Sequence, residues 1–131
     1  MLPATHLSIS IDRTPSDIYR FASNPENLPK WAAGLSGSEG HAEGDAWVCE
    51  SPMGKVKVRF AAPNPFGVMD HDVTLPSGEI VHNPFRVLAN GGGGEVVFTL
   101  YRRPEMSDDE FERDARSIRE DLATLKKILA R

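Results

Sequence analysis

The stretch SDDEFERDARSIREDLATLKKILAR, residues 107–131, decides the fold. Ser107-Asp108-Asp109-Glu110 is a capping box: the serine hydroxyl accepts from the N–H three residues on, and Glu110 reaches back to the serine's own N–H. Phe111, Ala115, Ile118, Leu122, Leu125 and Leu129 then recur at steps of four, three, four, three and four. That is one apolar stripe at 3.6 residues per turn, along a helix of about six turns. Acidic residues crowd its start, and Lys126, Lys127 and Arg131 its end, which complements the helix dipole. The stripe belongs to a core, where each buried Leu or Ile stabilises by about 1.5–3 kcal/mol.

Upstream, Gly40 to Arg103 reads as β. Alternating runs are separated by Ser51-Pro52-Met53-Gly54, Pro63-Asn64-Pro65-Phe66-Gly67, Pro76-Ser77-Gly78 and Asn90 to Gly94. That predicts five strands joined as hairpins in a largely antiparallel sheet. Gly91 to Gly94 is followed by a strand rather than a helix, so it reads as a flexible hairpin tip and not a phosphate loop.

Before this region, His6 to Asp12 alternates around Leu7, Ile9 and Ile11 and reads as a half-buried first strand. Thr14-Pro15-Ser16-Asp17 opens a short helix, with Thr14 as cap and proline at the first turn. Asn24-Pro25-Glu26-Asn27 repeats the start signal, Leu28, Trp31, Ala32 and Leu35 give a second apolar face, and Gly34 and Gly37 end it. The expected order is β-α-α-β-β-β-β-β-α, an α+β chain with six strands.

The 131 residues are 40% hydrophobic and 26% charged, which predicts one domain over 1–131, large enough to bury about two-thirds of its surface without staples. A net charge of −4 argues against nucleic acid, whose phosphates require clustered basic charge. No apolar run approaches the roughly 20 residues of a membrane span. The sequence starting Met1-Leu2-Pro3 lacks a basic region followed by an apolar core, so no signal peptide is expected. The single Cys49 fits a reducing compartment, and a cytoplasmic protein is expected.

The run Pro15-Ser16-Asp17-Ile18-Tyr19-Arg20-Phe21-Ala22-Ser23-Asn24-Pro25-Glu26-Asn27-Leu28-Pro29-Lys30-Trp31 resembles the entry pattern of the START-like (SRPBCC) superfamily: a proline, an apolar-aromatic pair, an Asn-Pro step, then a tryptophan. Asn83-Pro84-Phe85-Arg86-Val87, Glu95 to Leu100 and Met106 to Phe111 resemble small bacterial polyketide cyclase/dehydrase-like members. The resemblance covers nearly the whole chain. It implies a helix-grip fold: a six-stranded antiparallel sheet, two short helices after strand 1, and a long C-terminal helix on the concave face that could also lid a cavity. It specifies architecture well and function poorly, because lipid carriers, cyclases, oxygenase subunits and chaperone activators share this fold.

Hairpin arithmetic predicts which side chains face that cavity. Val56, Val58 and Phe60 alternate with Lys55, Lys57 and Arg59, so the apolar set faces inward. Pairing Glu50 with Lys55 adds Trp47 and Cys49. Pairing Phe60 with Val68 turns Asp70, Asp72 and Thr74 inward and His71 and Val73 outward. Pairing Leu75 with Ile80 brings in Val81, Asn83, Phe85 and Val87, and pairing Asn90 with Glu95 brings in Val96, Phe98 and Leu100. Lys55, Lys57, Arg59, His82, Arg86, Thr99, Tyr101 and Arg103 then face out. The weak link is Asn83-Pro84, where a bulge would flip everything beyond it.

Trp47, Phe60, Asp70, Asp72, Asn83, Phe85, Phe98 and Leu122 are therefore the expected ligand-binding residues. The aromatic and leucine side chains supply walls, and Asp70, Asp72 and Asn83 supply orienting polar groups. Asp70 and Asp72 share a face and could work as an acid/base pair, against the blander reading that each is structurally paired. His6, His41, His71 and His82 lack metal-ligand spacing, and no metal or cofactor is expected. Cys49 reads as core, and Trp31 and Trp47 read as core or cavity wall. Phe66 reads equally as a rim of the cavity mouth or as a plain loop residue.

The expected function is binding of a hydrophobic or aromatic small molecule between sheet and C-terminal helix. Whether aldol-type cyclisation or dehydration accompanies it stays open. The alternative is a protein-interaction module or chaperone cofactor with a filled interior. Val73, Leu75, Ile80, Leu88 and Val97, read as outward, leave room for a homodimer through the sheet's outer side.

Overall fold

The computed structural model describes residues 1–35, 39–52 and 54–130. Gly37, Met53 and Arg131, which entered the helix-end and turn expectations, lie outside the described residues.

Strand β1 (Ala4–Ile11) leads into helix α1 (Pro15–Ala22), capped by Thr14, whose Oγ1 accepts from Asp17 N at 3.1 Å. Asn24 caps a single 3-10 turn, Pro25–Asn27, that runs on into one turn of α-helix, α2 (Leu28–Trp31). The helix ends at Trp31 because Ala32 adopts extended backbone, and Gly34 sits in a further 3-10 turn, Ala33–Leu35. Leu28 and Trp31 are buried.

Seven strands follow: β2 (Gly40–Glu43), β3 (Ala46–Ser51), β4 (Gly54–Phe60), β5 (His71–Thr74), β6 (Ile80–Asn83), β7 (Phe85–Asn90) and β8 (Gly93–Tyr101). They form two antiparallel sheets rather than the single six-stranded sheet expected, a three-stranded β1-β8-β7 and a five-stranded β2-β3-β4-β5-β6. Pro84 makes the division. It has no N–H to donate, so the strand that carries β6 and β7 changes partners there. Before it, Asn83 stands opposite His71; after it, Phe85 stands opposite Phe98. The segment before β5 bridges the seam: Met69 N donates to Phe85 O at 2.7 Å, and Val68 stands opposite Arg86. No bulge flips the alternation at Pro84, since Asn83 and Phe85 keep one face and His82 and Arg86 stay exposed.

Helix α3 (Asp108–Leu129) carries the expected capping box: Ser107 Oγ accepts from Glu110 N at 3.1 Å, and Glu110 Oε1 accepts from Ser107 N at 3.2 Å. Its stripe buries Ala115, Leu122, Leu125 and Leu129 against the sheet's inner face, with contacts to β1, β8 and α2. At its far end Arg13 donates to the Leu129 carbonyl at 3.1 Å, satisfying one of the carbonyls that a helix leaves open.

Close approach explains part of the glycine run. A Cβ on Gly94 would stand 2.5 Å from Ile18 Cδ1, so the second half of the expected hairpin tip is where α1 lies down on the sheet. Gly91, at φ +58°, makes the turn itself.

Candidate functional site

The β3–β4 pairing is as expected, with Glu50 opposite Lys55, Cys49 opposite Val56 and Trp47 opposite Val58. Across the next connection the expectation fails. Phe60 stands opposite His71 rather than Val68, Arg59 opposite Asp72 and Val58 opposite Val73. The offset of three residues is odd, so every side chain of β5 changes face. His71 and Val73 point inward, and Asp70, Asp72 and Thr74 point outward.

The cause lies in the connection. Asn64 folds residues 61–70 around its amide, donating to Ala62 O and Val68 O and accepting from Phe66 N and Val68 N. Val68 and Met69 are then spent on β7 instead of β4. A second odd offset follows, because Thr74 rather than Leu75 faces Ile80. The two offsets cancel, so Val81, Asn83, Phe85 and Val87 face inward as expected, and so do Val96, Phe98 and Leu100 on β8.

Asp70 is committed on the other face. Its carboxylate takes a two-pronged contact from Arg86, at 3.0 and 2.8 Å, and accepts the Phe85 N–H at 2.8 Å. The Arg86 hydrogen bond outweighs burial and, with the Phe85 N–H, holds the carboxyl below its ordinary pKa. Asp72 pairs in the open with His82 Nδ1 at 2.6 Å. Neither carboxylate lines the space beneath the sheet, so the paired acid/base arrangement is absent from it. Val73 and Leu75 line that space too, which removes them from the outer-face patch. Ile80 and Leu88 remain exposed.

That space comprises two chambers between the inner face of the sheet and α3. One, of about 230 Å³, lies against α2 and the turn after it, walled by Leu28, Trp31, Leu35, Val56, Val58, His71, Val73 and Phe98. The other, of about 380 Å³, lies toward the start of α3 and includes Val81, Asn83, Leu100 and Met106. Val73, Leu75, Phe98 and Ile118 border both. The walls are predominantly apolar, and the second chamber alone falls within the roughly 300–1,000 Å³ usual for small-molecule sites.

Few polar groups reach these chambers. Asp121 of α3 stands at the first and accepts the Ala33 N–H at 3.1 Å; Asp114, one helical stretch earlier, stands at the second with Arg103. Burial raises the pKa of both carboxyls, opposed at Asp121 by the Ala33 N–H and at Asp114 by Arg103. His71 is the deep one. It is only 9% exposed, and its ring lies 5.0 Å from that of Phe60, 5.8 Å from Phe85 and 6.1 Å from Phe98. His71 Nδ1 donates to the Met69 carbonyl at 3.1 Å, which leaves Nε2 as the acceptor; Asn83 Nδ2 reaches it at 3.5 Å. Burial pushes the His71 pKa below the ordinary 6.5, with the Met69 carbonyl opposing, so the ring is neutral at pH 7.

The remaining expected residues are distributed around this centre. Phe98 borders both chambers and Asn83 the second. Phe85 is fully buried, stacked on Trp31 at 5.7 Å and 5.6 Å from Phe98, as backing to the wall. Phe60 backs His71 in the same way. Leu122 is core. Trp47 shares the inward face but packs on β2, where a Cβ on Gly40 would stand 2.1 Å from its indole nitrogen, and it does not border the chambers. Phe66 is 78% exposed beside a separate surface hollow with Thr14, Tyr19 and Val87, away from the space under α3. Trp31, expected as core or cavity wall, borders the first chamber, and His71, expected to face outward, is the deep polar residue that the alternation missed. Among the described residues no three His, Cys, Asp or Glu side chains could hold a metal ion, and no helix is long and apolar enough to cross a membrane.

Comparison with solved structures agrees on this architecture. Protein XoxI from Bacillus cereus superposes with a TM-score of 0.75 at 16% identity, over 98% of this chain and 96% of that one. The Aha1 dimer from Colwellia psychrerythraea gives 0.74 at 18% identity, over 98% and 96%. Ara h 8.0201 gives 0.68 at 11% identity, over 98% of each chain. At these identities the likeness is one of fold. No curated protein matches the sequence. Residues 4–130 match the family described as polyketide cyclase / dehydrase and lipid transport. The match spans β1 to the end of α3, and the chain belongs to that family of the START-like (SRPBCC) superfamily.

Proposed function

We propose that the chain binds an apolar, ring-bearing small molecule in the two chambers between the sheet and α3. One observation carries the reading: aromatic and aliphatic walls from α2, β4, β5, β8 and α3 converge on space bordered by a single deeply buried neutral imidazole. A filled interior, as an interaction module would have, leaves no such space. The family description, which joins polyketide cyclisation with lipid transport, supports an apolar ligand of either kind. Phe98, Val73, Leu75 and Ile118 supply the shared wall, and burying apolar ligand surface there contributes about 25 cal/mol per Å².

The test is native mass spectrometry of the purified protein, followed by solvent extraction and by thermal-shift measurements against fatty acids, flavonoids and polyketide-like aromatics. A stoichiometric co-purified molecule, or a saturable shift with one ligand class, is the expected result. An empty protein that shifts with nothing transfers the weight to an interaction module.

A further inference from the structure

The first chamber is walled almost wholly by apolar side chains. Among the described residues its lining holds no lysine, arginine or glutamate; His71 is neutral, and the one formal charge is the Asp121 carboxylate. Asp121 lies three residues beyond Ile118 on α3, so the two side chains are neighbours on one side of the helix, and both border the chamber. Only one carboxylate oxygen is engaged. Oδ1 accepts the Ala33 N–H at 3.1 Å, and Oδ2 has no hydrogen bond among the described residues. No cation compensates the charge either. The charged neighbour acting on Asp121 is Glu120, of its own sign, whereas Asp114, the carboxyl at the second chamber, has Arg103 and Arg113 beside it. A carboxylate drawn partly out of water without a counter-charge is costly.

On the reading that this space binds an apolar molecule, we infer that the ligand is an organic amine, its apolar body against Val56, Val58, Val73 and Phe98 and its protonated nitrogen on Asp121 Oδ2. The ammonium donates to an oxygen that the protein leaves unused, and it supplies the counter-charge that the half-buried carboxylate lacks. An uncharged ligand leaves Oδ2 unmatched. A carboxylate in the same position meets a like charge, which disfavours both ionised forms. The net charge of −4 gives the whole molecule the same preference for cations at longer range.

The experiment uses the full chain and three naphthalene probes of one shape, 2-naphthylmethylamine, 2-naphthylmethanol and 2-naphthoate. Their affinities are measured by calorimetry at about pH 8, where an alkylammonium stays protonated. The amine should bind about five- to tenfold more tightly than the alcohol, the low end for a charged hydrogen bond because Asp121 is only half buried. Naphthoate should bind most weakly. Asp121→Asn, which keeps an oxygen for the Ala33 N–H, should erase the preference for the amine. On the unsubstituted protein, carbon-13 NMR of the Asp121 carboxyl should show its pKa lowered by saturating amine and not by the alcohol; this comparison stands whether or not the variant folds. Equal affinity for amine and alcohol, an amine preference that survives Asp121→Asn, or an Asp121 pKa that the amine leaves unmoved overturns the inference while leaving the apolar-cavity reading in place. Failure of all three probes to bind overturns both.

Discussion

The Met69 carbonyl oxygen lies 3.1 Å from His71 Nδ1, and this contact between two residues of one short segment fixes the tautomer of the buried imidazole. A carbonyl accepts only, so Nδ1 carries the proton and Nε2 the lone pair. Nitrogen-15 NMR at neutral pH is expected to show a protonated Nδ1 and an unprotonated Nε2 for His71. The opposite tautomer would remove the acceptor from the chamber wall.

The same burial gives the protein a pH dependence with a definite sign. The folded pKa of His71 lies below the ordinary 6.5, chiefly through burial, with His82 acting the same way and the Met69 carbonyl, Asp70 and Asp72 opposing. Below about pH 6.5 the unfolded chain takes up a proton at His71 that the folded chain refuses. The unfolded state then binds more protons, so stability falls as pH falls, until the folded ring also titrates. Urea midpoints measured from pH 7.5 down to 5 should decline less steeply in His71→Phe. An identical decline in the two proteins would assign the dependence to other groups.

Asp70, just before β5, and Asp72, on it, are neighbouring acids with different weight in the fold. Asp70→Ala removes a two-pronged charged contact and leaves the Phe85 N–H without its acceptor, a loss of about 1.5–3 kcal/mol. Asp72→Ala removes an exposed pair with His82 and costs below about 1 kcal/mol. Since neither carboxylate borders the chambers, ligand affinity should be unchanged in both. A tenfold loss of affinity in a variant that melts normally would return that carboxylate to the site.

The contrast between these acids and His71 marks the limit of what sequence patterning reveals. Period-two alternation identified the inward sets on β3, β4, β6, β7 and β8, and helical periodicity with the Ser107–Glu110 box located α3. Those signals are local, repeated over several residues, and survive an error of one or two at an end. The facing of β5 depended instead on how many residues the 61–70 connection consumes. That number is set by Asn64 closing the loop on itself and by Met69 pairing with a strand further along the chain. Neither contact has a signature at the level of residue spacing. The division into two sheets at Pro84 was legible as an interruption, since proline cannot donate, but which strands would take up the freed edges was not. Trp31 was legible as core or cavity wall; its buried, unpartnered N–H is a property of the assembled packing.

Gly67 supplies a test of how tightly that connection is held. It adopts φ +72°, and a Cβ there would stand 2.4 Å from the Val87 carbonyl oxygen. Gly78 also has positive φ, +92°, but open space around it. Gly78→Ala therefore carries backbone strain alone, on the order of 1–3 kcal/mol. Gly67→Ala carries that strain and a backbone collision as well, so it should destabilise more. Equal urea midpoints for the two variants would show that the loop gives way without cost.

Ile118 offers the sharpest distinction between open chamber and packed core. It borders both chambers, whereas Leu125, two turns further along the same stripe, is fully buried in the core. A side chain enclosed on every side is intolerant in both directions: truncation leaves a cavity, and enlargement forces strain of about 1–3 kcal/mol. Leu125→Ala should thus lose about 2–5 kcal/mol. A side chain bordering open space can grow into it. Ile118→Trp should keep the stability within about 1 kcal/mol of the unsubstituted protein, because isolated helix propensity differs little between the two residues and the indole can extend into the open space that Ile118 borders. The same indole would occupy the wall shared by Val73, Leu75 and Phe98, so binding of any ring-bearing ligand should weaken more than about tenfold, one lost factor of ten corresponding to 1.4 kcal/mol. A variant that binds normally would place the ligand elsewhere. A variant destabilised as strongly as Leu125→Ala would mean that the space beside Ile118 is closed in solution.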